Sequence, residues 1–251
     1  MKAIVIKNKH ALDKMYAAGQ KLALVMQEVE SIMVSGVNTE YIDAFVEERM
    51  LFAGLTPECK GYAGYRHATC ISLNDIVIHG VPSKEKILKS GDFVKIDVVG
   101  SYKGYCADMT RYFFIGTANP VAYKMAQTAQ RALDRAIEAI KPGCYLSDIS
   151  ALIQKEVERD GFGVVRAFCG HGIGKTMHEG PDIPNFGIPG KGPLLQDGMT
   201  LAIEPMIAQN SYDVVVESDG WTVRTVDGGL AAHVEDTIAV TNDGARILTR
   251  L

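Results

Sequence analysis

The chain has 251 residues, 47% of them hydrophobic and 22% charged, with a formal net charge of −4. That is the composition of a globular enzyme or binding protein, and it leaves no global basic field for nucleic acid or an anionic membrane. The start of the chain lacks the apolar core of a secretory signal, and no apolar run approaches the roughly 20 residues of a membrane helix. The five cysteines are odd in number and contain no C-x-x-C pair, which argues against a disulfide framework or a cysteine zinc knuckle. Reduced thiols in a cytoplasmic protein are the expectation.

Residues 11–34 place Leu12, Met15, Leu22, Val25, Met26 and Val29 at helical spacing. Residues 39–53 read as a second helix, with Thr39 as N-cap and Gly54 as stop. Strands are predicted near 67–80 and 93–99, the latter forming a hairpin with 105–115 through Gly100 and Gly104. Helical patterns return at 120–140 and 146–160. Residues 199–208, 212–226 and 230–241 read as strands.

The chain resembles itself at an offset of 107. Gly36, Ile42, Gly54, Gly80, Pro82, Lys84, Leu88, Gly91 and Ile96 fall on Gly143, Ile149, Gly161, Gly187, Pro189, Lys191, Leu195, Gly198 and Ile203. This predicts one domain, residues 1–251, of two related halves (about 36–115 and 143–241) facing each other. The period is too long for a solenoid.

The same offset pairs Asp97 with Glu204, each closing an apolar strand. A second acid follows in each half, Asp108 and Glu235, both two residues before a threonine (Thr110, Thr237). A buried carboxylate pays heavily for desolvation unless a positive group offsets it. Only Lys95 and Arg111 are placed to serve one or two of the four. One such acid alone reads as a strand end in water; four placed pairwise by a repeat read as a site for divalent cations. An oxygen-rich set with one imidazole suits Mn, Fe, Co or Zn. Two such ions would support metal-assisted hydrolysis.

The stretch CGHGIGKTMHEG, Cys169 to Gly180, imitates a phosphate loop in its Gly-Lys-Thr. The glycine a P-loop needs five residues before Gly174 is Cys169, and the dinucleotide fingerprint also fails. Its glycines are expected to let the backbone turn tightly. Of the six histidines, His79, His171 and His178 each adjoin glycine or a glycine-rich turn. Spacing alone does not choose the ligand among them.

These residues together resemble the type I methionine aminopeptidases of bacterial kind, in metallopeptidase family M24. The segments that carry the resemblance are GHGIG…HE, CISLNDIVIHGVP, KIDVVGSYKGYCADMTRYFFIG, MTLAIEPM and VEDT, and it spans about residues 3–250. It implies the α+β pita-bread fold, with two halves related by a pseudo-twofold around a curved antiparallel sheet. It implies Asp97, Asp108, His171, Glu204 and Glu235 as ligands of two divalent cations. Asp108 and Glu235 would bridge, Asp97 would serve one metal and His171 the other. Glu204 would double as general base, His178 would hydrogen-bond the scissile carbonyl, and His79 would contact the second substrate residue. Cys59, Tyr62, Tyr65, Cys70 and Trp221 match the methionine pocket. The family also implies a monovalent cation on backbone near Asn74, Ile76 and Ala231. The implied activity is removal of the initiator methionine from nascent polypeptides with a small second residue, at the ribosome exit, by a monomer without specific nucleic-acid or membrane binding.

Two positions depart from the family pattern. Met177 stands where a bulky aromatic is usual, still an apolar pocket residue. His233 stands where glutamine is common; two residues from Glu235 it shares that face, and it reads as an ordinary polar residue or as support for a ligand. Prolidase and aminopeptidase P are the rivals within the fold, but they carry a further N-terminal domain. A type II enzyme would carry a helical insert between Glu204 and Glu235, which stand only 31 residues apart. A dinuclear phosphatase would want a basic cluster that the sequence lacks.

Overall fold

The computed structural model describes residues 3–251. Among these residues, four α-helices pack on a nine-stranded sheet. Helix α1 (Lys9–Val29) starts at Asn8, whose side chain accepts the Ala11 N–H at 3.0 Å. Helix α2 (Thr39–Phe52) is capped by Asn38, which accepts the Tyr41 N–H. Thr39, the expected cap, is instead turned inward: its hydroxyl donates to the Ser83 carbonyl and accepts the Ser83 N–H. Helices α3 (Pro120–Ala139) and α4 (Leu146–Arg159) cover the second half.

The sheet strands are β1 (Thr56–Pro57), β2 (Thr69–Leu73), β3 (Phe93–Tyr102), β4 (Tyr105–Phe114), β5 (Cys169–Gly172), β6 (Glu179–Pro184), β7 (Thr200–Ile203), β8 (Glu235–Thr241) and β9 (Gly244–Ile247). Their order is β1-β3-β4-β8-β7-β5-β6, with β2 added to β3 and β9 to β8, and every pair is antiparallel. Two three-stranded sheets flank it. One contains Ala231–His233 and the other Ile76–Ile78.

The β3–β4 hairpin turns at Lys103 and Gly104, both at positive φ (50° and 77°), as a two-residue turn with matching strand twist requires. Gly100 is not in that turn. It pairs with Ala107, and a Cβ there would come within 3.0 Å of Met50 Cε. The stretch 67–80 breaks into two strands at Asn74, which adopts φ 50°. The three predicted strands after 199 break likewise, at Glu204–Pro205, at the 217–222 turn and at Val234.

Alternation along β3 sends Val94, Ile96 and Val98 into a core with α1 and α2. Leu201, Ile203, Ile238 and Val240 pack against α3 and α4. The helices therefore cover one face of the sheet, and Asp97 stands on the other. The two halves match in backbone detail. Helices α2 and α4 are both 14 residues long and start 107 apart. Gly36 and Gly143 have φ 93° and 87°, and donate to Leu88 and Leu195 respectively. We infer that residues 36–115 and 143–241 descend from one duplicated unit.

Gly19 lets α1 lie on the C-terminal segment: a Cβ there would sit 2.2 Å from the Leu248 carbonyl oxygen. Helix propensity alone favours alanine at this position by about 1 kcal/mol. The close approach should reverse the sign, so Gly19→Ala should destabilise by about 1–3 kcal/mol. Urea denaturation measures this; an unchanged or raised midpoint would contradict the packing.

Candidate metal centre

Four strands and one strand end bring the predicted ligands together. Asp97 comes from β3, Asp108 from β4, His171 from β5 and Glu235 from β8, and Glu204 directly follows β7. Register does the placing. Thr110 lies opposite Asp97 on one side and Glu235 on the other. Each threonine serves the other half: the Thr110 hydroxyl donates to Glu235 Oε2 at 3.1 Å, while Thr237 accepts the Asp108 N–H at 2.9 Å and donates to its carbonyl. The acid-x-threonine spacing thus has a mechanical reason.

Oxygen or nitrogen atoms of Asp108, His171 and Glu235 lie within 4.8 Å of one another. His171 Nε2 is 3.7 Å from both Asp108 Oδ2 and Glu204 Oε1. Its Nδ1 lies 3.0 Å from the Gly172 carbonyl, which can only accept. The proton is therefore on Nδ1, and the Nε2 lone pair faces the carboxylates, as metal ligation needs.

Burial pushes the carboxyls of Asp108, Glu204 and Glu235 well above the usual range, and the neighbouring acids push further. Asp97 is raised by burial too, with His233 opposing. Neither basic residue offered by the sequence relieves them. Arg111 pairs with Asp236 at 2.8 Å and donates to the Glu235 backbone carbonyl. Lys95 donates to the Asn74 carbonyl; burial pushes it down to about 7, with Asp75 opposing. Asp108 Oδ1 and Glu235 Oε1 are buried without a hydrogen-bond partner among the described residues. Orphaned carboxyl oxygens beside an imidazole lone pair fit divalent cations.

Gly170 and Gly172 do not make a turn but lie in strand β5; the chain bends only from Gly174 on its way to β6. A Cβ on Gly170 would lie 2.5 Å from the Ala202 carbonyl oxygen, and one on Gly172 would lie 1.9 Å from that of Gly180. They let β5 close on its neighbours and carry His171 inward. His233 is buried, and its Nε2 lies 3.3 Å from Glu204 Oε2. It is held in the interior against Glu204 rather than at the surface. Burial pushes it down to about 4, against the pull of Asp97, so it is neutral at pH 7.

A cavity of about 290 Å³ opens on the carboxylates. Cys59, Tyr62, Tyr65, Cys70, His79, Met177, His178 and Trp221, all expected from the sequence, line it. Burial raises the Cys59 and Cys70 thiols, keeping them neutral. Tyr65 donates to the Thr69 carbonyl and packs edge-on against Trp221 at 4.9 Å. Met177 is buried beside Ile173 and Cys59. His79 adopts φ 56° and is pushed by burial down to about 4. Its ring meets Phe168 edge-on at 5.9 Å. Phe168 also lines the cavity; it was missed because one aromatic before a glycine-rich strand carries no signal of its own. His178 Nδ1 is 3.1 Å from the Tyr62 hydroxyl, and its ring stands edge-on to His171 at 4.5 Å.

The model of metallopeptidase family M24 matches residues 13–242. The chain belongs to metallopeptidase family M24. It is 42% identical over 246 residues to a methionine aminopeptidase of Clostridium acetobutylicum, covering 98% of both chains. The crystal structure of a methionine aminopeptidase from Thermotoga maritima superposes with a TM-score of 0.97 at 42% identity, over 99% of this chain and 100% of that one. A prolidase from Pyrococcus furiosus, 24% identical, superposes with a TM-score of 0.81 over 98% of this chain and 66% of its own. That likeness shows the shared pita-bread fold alone. Membership makes the chain a metal-dependent hydrolase, in keeping with the carboxylate–histidine cluster.

Burial favours the protonated form of these carboxyls, and a ligand must lose its proton to bind. Metal affinity should therefore rise with pH, and uptake should release protons. Calorimetry in two buffers of different ionisation enthalpy, repeated as the pH is lowered, measures the release; none at any pH where metal still binds would contradict the raised carboxyls.

Proposed function

We propose that the chain is a methionine aminopeptidase, removing the N-terminal methionine of nascent polypeptides when the second residue is small. The observation that carries this reading is the juxtaposition of two surfaces in one cavity. One is the cluster of acids and His171. The other is a wall of Cys59, Tyr65, Cys70, Met177 and Trp221. Polarisable thiols and aromatic edges suit a thioether side chain. None of these five side chains carries a formal charge, since burial raises both thiols.

Asp97, Asp108, His171, Glu204 and Glu235 would hold two divalent cations, drawn from Co, Mn, Fe or Zn, which this donor set suits. When bound, such ions supply the Lewis acidity that makes water nucleophilic near neutral pH and polarises a carbonyl. The remaining roles fall to the chain itself. Glu204 takes the proton of the attacking water, with His233 beside its outer oxygen. In the tautomer whose Nδ1 accepts from the Tyr62 hydroxyl, the His178 proton is on Nε2, where it would stabilise charge developing on the scissile carbonyl oxygen. His79, neutral at working pH, hydrogen-bonds the backbone of the second residue. The left-handed backbone at His79 is the kind of strain that persists where a side chain must be aimed.

Among the described residues no helix is long and apolar enough to cross a membrane. A cytoplasmic monomer acting on N-termini as they leave the ribosome is the setting we propose.

Methionyl-alanyl peptides should be cut with added divalent metal and methionyl-leucyl peptides spared. Equal cutting, or a preference for bonds to proline, would sink the reading. Glu204→Gln should lower kcat by about 10²-fold or more while the thermal midpoint stays close to wild type. Turnover near wild type would remove Glu204 from the mechanism.

A further inference from the structure

Lys95 lies between two core residues on β3, and only 1% of its surface is exposed. It stands two residues before Asp97 and so shares its face of the sheet. Lysine is almost never this buried without a partner of opposite charge. Among the described residues, no carboxylate lies within 4.0 Å of Lys95 Nζ. Its partner is a backbone oxygen: Nζ is 3.0 Å from the carbonyl of Asn74, and 4.9 Å from the centre of the Phe93 ring.

That carbonyl sits at a built corner. Asn74 adopts φ 50°. Its amide oxygen accepts the Phe93 N–H at 3.0 Å, its amide nitrogen donates to Asp92 at 2.9 Å, and its own N–H donates to the Phe93 carbonyl at 2.8 Å. The Asn74 carbonyl accepts twice, from Ala231 N–H at 2.9 Å and from Lys95. A carbonyl oxygen has two lone pairs, and both are used.

The family resemblance implies a monovalent cation at this corner, on backbone near Asn74, Ile76 and Ala231. The residues present do not fit one. The Asn74 oxygen has no lone pair to offer, whether the lysine is ammonium or amine, and an ammonium already there would repel a second cation. The geometry points to Lys95 Nζ as a tethered replacement for that ion. It ties β3, which carries Asp97, to the turn that leads to His79 and to the Ala231–His233 strand. Lys95 is thus a positioning residue that removes any need for a monovalent ion. This inference concerns the chain's cation requirement and stands apart from the substrate assignment above.

The test uses metal-free and metal-loaded full-length protein in KCl, NaCl and tetramethylammonium chloride at equal ionic strength. The wild type should have the same thermal midpoint in all three salts. Lys95→Ser should melt lower in tetramethylammonium chloride and recover by about 3 °C or more in KCl or NaCl. Crystals soaked in RbCl should show anomalous density at the Asn74 carbonyl in the variant and none in the wild type. Should the variant not fold, the wild-type measurements decide alone. A wild-type midpoint raised by K⁺ or Na⁺, or rubidium on the wild-type Asn74 carbonyl, would overturn the proposal. So would a Lys95→Ser protein as stable as wild type in tetramethylammonium chloride.

Discussion

Asp97, Asp108, Glu204 and Glu235 are drawn together in the interior, and the nearby basic groups are committed elsewhere. Arg111 is held by Asp236, and Lys95 by a backbone carbonyl. Like charges at this spacing in a low-dielectric setting repel strongly, and each also loses its hydration. Such an arrangement persists only if the acids keep protons or receive cations. The raised carboxyls describe the first state, and the orphaned oxygens of Asp108 and Glu235 mark where the second would act.

Much of the fold can be read as support for that unfavourable cluster. The apolar cores on the helix side hold the strands that carry the acids. The Thr110 and Thr237 hydroxyls tie β4 to β8, so that one half fixes the acid of the other. The bare backbone of Gly170 and Gly172 lets β5 approach closely enough for His171 to reach both halves. Beside the acids, the wall of Cys59, Tyr65, Cys70, Met177 and Trp221 carries no formal charge. Its thiols are neutral and Tyr65 is engaged with the Thr69 carbonyl.

The acids were legible because chemistry and repetition coincide in them: a carboxylate is conspicuous at the end of an apolar strand, and four in register more so. The helices were legible from their spacing, to within a few residues at each end. Turns were harder. Gly100 and Gly104 look equivalent in the sequence, yet one pairs with Ala107 inside the strand and the other makes the turn at positive φ. Asn38 and Thr39 are both capping types, and a tertiary contact with Ser83 decided between them. The glycines around His171 read as a turn because close backbone approach from a distant strand leaves no local mark. His233 and Lys95 were under-read for a related reason. Polar residues default to the surface, and their burial depends on what lies across the sheet.

The most direct test of the central claim is the number of divalent ions retained per chain. Metal-free protein would be equilibrated with Mn(II) or Co(II), passed through a desalting column and measured by elemental analysis. The account predicts up to two ions per chain for the wild type and a marked loss for Asp108→Asn with the fold intact. A wild type that retains none, or a variant that retains as many, would contradict it.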